Sequence, residues 1–320
     1  MFHTLNKNLN LQLILLVLLA GWAGWTIFTR MTVCPPEGTM FLFQQITKIW
    51  AWNHILARIL AMLMVLTMTF GVIQLFNRRH FSESRSYMPG VFLLLLLNCG
   101  KFLYTFTPAL LTVFFISLIM VMYSPNEQAS QMKDRLFSFG LLIAIATFLD
   151  ISAFGIVLFL MVMIAFNNVT SFKDILILFL GLSFPYIWGF AIAFIANGST
   201  SFAQSWRDLS IFVPVKTFTS LRAIDYIAMA WLVVVTVILM VRDKQLMDSK
   251  LIVIRQAFNN VNMLLLSMLL FLWLGIVPLP AALLYLLLPI AVYMSMAAVR
   301  KRHWVLVDLM IVSICVLLWL

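Results

Sequence analysis

Long apolar runs recur along the chain from one end to the other, and few of them alternate between polar and apolar positions. A continuous run of about 17 or more apolar residues reads as a membrane span. Lipid offers the backbone no hydrogen-bond partner, so such spans must be helices or closed barrels. A barrel requires alternation, which these runs lack, and the pattern therefore predicts helices. The first span falls at 11–29 and the second at 55–76, ending in Asn77, Arg78, Arg79 and His80. Two longer stretches, 88–123 and 137–166, are each interrupted: the first by Asn98, Cys99, Gly100 and Lys101, the second near Asp150, Ser152 and Gly155. Pro108 can open a new helix in the first, because its missing N–H falls where a helix has no use for one. Both stretches read as short hairpins with outward tips. For the second, the expectation is helices at 137–149 and 153–166 with a bend nearer the outer surface than the midplane. Further spans fall at 175–195 (with a kink at Pro185), 224–241, 260–276, 281–298 and 304–320. The expectation is an all-α, polytopic bundle of about eleven spans, forming one integral membrane domain over 1–320. If both broken hairpins were single helices, the count would be nine.

Between the spans, 41–53 mixes Phe41, Phe43, Ile46, Ile49, Trp50 and Trp52 with Gln44, Gln45 and Lys48, which suits a helix lying in the interface. In 203–213, Trp206, Leu209 and Phe212 recur every three residues and make one apolar helical face. The segment 242–258 reads as a basic cytoplasmic stretch. Lys7 precedes the first apolar run, but that run is longer than a signal core and no small-x-small cleavage site follows, so it reads as a retained span.

Composition agrees: 64% of the 320 residues are hydrophobic and 10% charged, against roughly 25% charged in soluble domains. The formal net charge of +10 would suit nucleic acid only on a folded basic surface, and no soluble domain is present to carry one. Cytoplasmic loops rich in Lys and Arg explain it. With both hairpins, fourteen of the 21 basic residues fall on one side, in the groups Arg78–Arg85, Arg242–Arg255 and Arg300–Arg302 among others. That side is taken as the cytoplasm of a bacterial-type inner membrane, with the N-terminus inside. One hairpin collapsed to a single span would send the later basic groups outside. Cys34 and Cys99 both fall on the outer side, which allows a disulfide although nothing fixes their separation. No Gly-rich phosphate loop, Ser-His-Asp arrangement or His/Cys metal spacing is legible, and no metal or cofactor is expected.

The middle of the chain carries a resemblance. Gln74-Leu75-Phe76-Asn77, the Ser86-Tyr87 pair, the apolar run to Asn98, the 137–166 stretch, Phe172-Lys173-Asp174 and the GLSFPYIW run at 181–188 together resemble a Bacteroidota integral-membrane family of unknown function, over roughly 70–195. More distantly, the paired short helices at 137–166 and the amphipathic 41–53 are similar to C-type membrane glycosyltransferases, which act on polyprenyl-linked sugars. That resemblance implies a catalytic acid in the first outer loop, often one of a pair. Here the loop holds a single acid, Glu37.

Few acids lie at membrane depth or outside: Glu37, Asp150, Asp208, Asp225 and Asp308. A carboxylate inside a span is costly and often functional. Asp150 sits between two apolar halves and could accept a proton, pair with a cation or orient a substrate hydroxyl; it could equally cap the following helix. Asp150, Asp225 and Glu37 are the candidate catalytic residues. Arg58, Lys101, Arg207, Lys216 and Arg222 lie on the outer side against the usual bias. They are candidates to hold a lipid phosphate, for which Arg has the matching fork. The competing reading is that they reach headgroups or pair with Asp208 and Asp225. Three functions remain in play: handling of a lipid-linked substrate at the outer face, with membrane lipid as partner; a non-enzymatic scaffold subunit of an envelope complex; and a small-solute transporter. The topology has a direct check. Cysteines introduced at 204 and 248 should react with an impermeant maleimide from outside at 204 and not at 248, and the reverse pattern would sink the assignment of sides.

Overall fold

The computed structural model describes residues 8–33, 42–43, 46–48, 54–78, 81–82, 85–99, 102–122, 129–150, 172–195, 231, 234–235, 237–238, 240–241, 252–273, 279–299 and 312–313. These residues are almost all helical, with no barrel. In chain order they form α1 (Leu9–Arg30), β1 (Thr32–Val33), α2 (His54–Arg78), α3 (Met88–Cys99), β2 (Thr105–Phe106), α4 (Pro108–Met122), α5 (Ala129–Leu149), α6 (Phe172–Ile195), α7 (Ile252–Trp273) and α8 (Leu279–Val299). Among the described residues, three helices are long and apolar enough to cross a membrane: α1, α2 and the Lys173–Ile192 part of α6. The others contain shorter apolar stretches, among them Met88–Cys99 and Pro108–Met122.

The short helices explain themselves by where they sit. A helix that is apolar all round must be buried on all sides, and α3 and α8 are: Phe92, Leu93, Leu94, Leu96 and Leu97 of α3 and Leu287, Ala291, Val292 and Tyr293 of α8 have almost no exposed surface. They pack on each other at the centre. By contrast α1, α2 and α6 each turn an apolar face outward, with Val17, Leu18, Trp25, Ile55, Leu63, Phe70, Ile187 and Phe194 exposed. At 1.5 Å per residue α3 covers only about 18 Å. The rest of its climb is made by the chain through Tyr104, where Thr105 and Phe106 pair in parallel with Thr32 and Val33 just beyond α1. The tip of the 88–123 hairpin therefore reaches the level of the end of α1, and Pro108 is the first residue of α4 as expected.

Contacts along the helices give their directions. Gln12, in the first turn of α1, bonds to the chain at Ser86 and Tyr87, and Asn77 at the end of α2 bonds to Ser86 as well. That defines one end, named here for Arg78. The opposite end holds Tyr104. Gly71 of α2 faces Val121 of α4, and Thr112 of α4 bonds to Ala146 of α5. So α5 starts at the Arg78 end and finishes at the Tyr104 end. Tyr285 meets Asp150 and Asn262 meets Tyr293, so α8 descends from the Tyr104 end and α7 rises toward it. Arg78, Arg85, Lys173 and Arg255 lie toward one end, and Arg30 and Arg58 toward the other, as the charge pattern anticipates.

The closest packing is between α5 and α6. A Cβ on Gly140 would run into the Leu178 carbonyl, and one on Gly181 into the Phe137 carbonyl. The two backbones touch because neither glycine has a side chain, the usual way for helices to associate in lipid. Farther along, Thr147 pairs with Tyr186, and the Phe148 ring lies against Gly189. The matched sequence offset shows that α5 and α6 run parallel. The chain between them, 151–171, lies outside the described residues, and with it the second helix expected over 153–166. Helix α5 ends at Leu149 and Asp150 is not helical, which excludes one uninterrupted helix through Asp150.

Several expected boundaries move. Helix α5 begins at Ala129, well before 137, and α7 begins at Ile252 within the stretch read as a basic cytoplasmic segment. Hydropathy reports the apolar part of a helix, whereas the backbone hydrogen bonds continue into its polar ends. Phe43, placed by the sequence in an interfacial helix, is fully buried and stacked on Phe106 with ring centroids 6.3 Å apart. It packs under the hairpin tip.

The glycine crossing makes a paired prediction. Gly140→Val should lower the melting temperature in detergent, since overpacking a tight contact costs typically 1–3 kcal/mol. Gly21→Ala, where a Cβ would meet nothing within 4 Å, should instead gain up to about 1 kcal/mol of helix stability. Equal melting of the two variants would contradict the crossing.

Candidate functional site

The two ends of the bundle use polar side chains differently. At the Arg78 end they bind one another. Gln12 is completely buried, and its Oε1 accepts from the Tyr87 N–H at 2.7 Å and from the Ser86 hydroxyl at 3.3 Å. Asn77 brackets the Ser86 backbone, taking its N–H at 2.9 Å and giving its own Nδ2–H to the Ser86 carbonyl at 3.1 Å. The Ser86 hydroxyl in turn accepts from the Met88 N–H at 3.2 Å, where α3 starts and its first N–H groups have no intrahelical acceptor. Asn77 and the Ser86-Tyr87 pair, two of the groups singled out in the sequence, thus join α1, α2 and α3. Gln12 was not legible as part of this lock: one amide in an apolar run has no pattern.

At the Tyr104 end the polar groups serve helix ends. Arg58 was a candidate phosphate ligand. It is half-buried, and its guanidinium donates to the Phe28 carbonyl at 2.6 Å. The last carbonyls of a helix lack intrahelical partners and carry partial negative charge, so a cation there is favourable. Arg58 thereby ties α2 to the end of α1. Beside it, Arg30 donates to the Tyr104 hydroxyl at 3.2 Å and lies 5.7 Å from the centre of that ring. The Thr32 N–H donates to the Tyr104 carbonyl at 2.8 Å. Tyr104 so anchors the hairpin tip to α1.

Asp150 is the other described candidate, just past the end of α5. Its backbone N–H closes the last helical hydrogen bond, to Ala146 at 3.0 Å. Its Oδ2 accepts from the hydroxyl of Tyr285 on α8 at 2.6 Å. Tyr285 is buried while Asp150 is partly exposed. A short bond from a phenol fixed in the core holds one carboxylate oxygen in place. Three residues earlier on α5, Thr147 pairs with the hydroxyl of Tyr186 on α6, whose ring packs edge-on against Phe148. The last turn of α5 thus meets two tyrosines, one from each neighbouring helix. Neither tyrosine was singled out from the sequence, because the helices that carry them are far apart in the chain.

Arg58 and Asp150 stand at the same end of the bundle and bond to different helices. Glu37, Lys101, Arg207, Asp208, Lys216, Arg222, Asp225 and Asp308, and the amphipathic stretch 203–213, lie outside the described residues, as does Cys34. Cys99 is buried at the last position of α3. Among the described residues no group of His, Cys, Asp or Glu could hold a metal ion.

The role of Arg58 can be measured. Arg58→Gln removes a charge-assisted hydrogen bond, of a kind contributing about 1.5–3 kcal/mol. It should lower the melting temperature in detergent and leave the amount of co-purifying phospholipid unchanged. A stable variant stripped of bound phospholipid would return Arg58 to the set of ligands.

Comparison with family models, with curated proteins and with solved structures gave no match to the chain.

Proposed function

We propose that the chain is an inner-membrane protein of eleven spans, with a cytoplasmic N-terminus, that handles a polyprenyl- or lipid-linked phosphate at its outer face on a helical architecture like that of C-type membrane glycosyltransferases. The reading is carried by Asp150: a carboxylate at the break after an apolar helix, held by a buried tyrosine at the end opposite the Arg78 group. A charge in that position is expensive to keep in an apolar setting, and such residues commonly mark substrate paths. The parallel course of α5 and α6 supports the two-helix design over 137–166 that the glycosyltransferase resemblance implies. In this reading the carboxylate orients a hydroxyl of the head group, and the phosphate is held by Lys101, Arg207, Lys216 and Arg222, Arg58 being engaged with α1. Asp225 and Glu37 remain the further candidate acids.

A second reading is favoured by the centre of the bundle. Helices α3 and α8 are buried all round, and Gln12, Asn77 and Ser86 at the Arg78 end are matched to one another. A filled, locked bundle suits a non-enzymatic scaffold subunit of an envelope complex.

The two separate on bound lipid. Protein purified in mild detergent should retain polyprenyl phosphate, detected by mass spectrometry of the extracted lipids. An Arg207→Gln/Arg222→Gln double variant should retain at least tenfold less, since each charge-assisted hydrogen bond to the phosphate contributes about 1.5–3 kcal/mol. No retention by the parent chain, or equal retention by an equally stable double variant, would leave the scaffold reading.

A further inference from the structure

Helix α6 is built to bend at one place. Pro185 has no N–H to give the Gly181 carbonyl, so the helix lacks a hydrogen bond there, and the proline ring crowds that same carbonyl. Gly181 is also where α6 touches the backbone of α5, against Phe137 and beside Gly140. The missing bond therefore lies immediately above the fixed point of the crossing. Sharp bends in helices fall at such prolines.

The two halves of α6 are held unequally. Below Pro185, Asp174, Leu178 and Gly181 are buried and backbone meets backbone. Exposed residues occur in both halves, Ile175, Leu176, Phe179, Leu180 and Phe184 below the proline and Ile187, Trp188, Phe190, Ile192, Phe194 and Ile195 above it. Above it, however, none of the described side chains is buried. The polar tie of this half to α5 is Thr147 to Tyr186, one residue past the proline. Beside it, the Phe148 ring packs on Tyr186 and Gly189, an apolar contact that can slide. On α5, Thr147 stands one turn before Asp150, and Asp150 is bonded on its other flank to α8. The upper half of α6 thus borders the turn of α5 that leads to the carboxylate.

We propose that residues 186–195 of α6 form a lateral gate: they swing away from α5 about the Gly140–Gly181 contact, with Pro185 as hinge and Thr147–Tyr186 as latch, and open a side path from the bilayer to Asp150 and Tyr285. The cargo is a lipid with a polar head group, whose chain stays in the membrane while the head passes the latch. Assigning that cargo rests on the lipid-linked reading above; the motion does not.

The motion is read directly by the distance between spin labels at Ile59→Cys on α2 and Phe194→Cys on α6, both exposed positions, in a chain whose Cys34, Cys99 and Cys315 are replaced by Ala. Tyr186→Phe removes one hydrogen bond from the closed state and should raise the displaced population about fivefold, the equivalent of a typical net hydrogen bond. Pro185→Ala restores the Gly181 bond and should lower that population. Both are measured in nanodiscs without added substrate, alongside the melting temperature. Opposite shifts establish the gate. One unchanged distribution in all three proteins, or shifts in the same direction, overturns it, even if the melting temperatures differ. A gate that moves in a protein retaining no polyprenyl phosphate refutes the cargo and leaves the hinge standing.

Discussion

A polar group inside a bilayer has to find its partner within the protein, because an unmatched one costs several kcal/mol. The helices of this chain are organised by that constraint. Most hydroxyls along them turn back to a carbonyl of their own helix: Thr26 to Ala23, Thr67 and Thr69 to α2, Ser117 to Phe114, Ser183 to Phe179, Ser267 to Leu264 and Ser295 to Ala291. These bonds satisfy the side chain without binding one helix to another. What joins helices is a smaller group that cannot be satisfied locally. Gln12 needs Ser86 and Tyr87, Asn77 needs the Ser86 backbone, and Asn262 needs Tyr293. Since lipid tails are as apolar as leucine, such links and close packing, rather than burial from water, decide which helices meet.

Close packing does the rest at three glycines. Gly90 lets α3 approach Thr69 and Ile73 of α2, while Gly140 and Gly181 let α5 and α6 meet at the backbone. Dispersion attraction is small for each atom pair and grows with the number of pairs brought within reach. Removing the Cβ atoms from the line of contact brings more of them within reach. The α5–α6 contact has a further consequence, because two helices locked in parallel constrain the parity of everything between them. A local packing detail thus bears on the topology of the whole chain.

The sequence made the helical class legible, since apolar runs without alternation admit one solution in lipid. It also marked the breaks at Asp150 and before Pro108, where a charge or a proline interrupts an apolar run. Less was legible at helix ends: α5 and α7 each start some eight residues before the apolar part that announces them, on polar residues that a hydropathy pattern assigns to loops. Partners were not legible. Arg58 was notable for its position, yet its acceptor is a main-chain carbonyl thirty residues away, and every residue has a carbonyl. Phe43 looked interfacial because its neighbours are mixed, and only the fold shows that it reaches Phe106. The tyrosines around Asp150 sit among ordinary span residues. A pairing between distant helices leaves no local spacing to read.

The two ends of the bundle are tied in different ways. At the Arg78 end, three helices are joined by side chains that grip backbone at Ser86, so a shift of any one helix breaks bonds to the others. At the Tyr104 end, side chains bond at helix termini, Arg58 to α1, Arg30 to Tyr104 and Tyr285 to Asp150, and the backbones of β1 and β2 pair beside them. Functional segments are drawn from the less stable parts of a structure; the upper turns of α6 keep a wide exposed face, whereas the last turns of α5 are buried. A transporter would need the Arg78 end to open as well, against the Gln12, Asn77 and Ser86 bonds. A substrate held at the Tyr104 face, as proposed above, leaves those bonds intact.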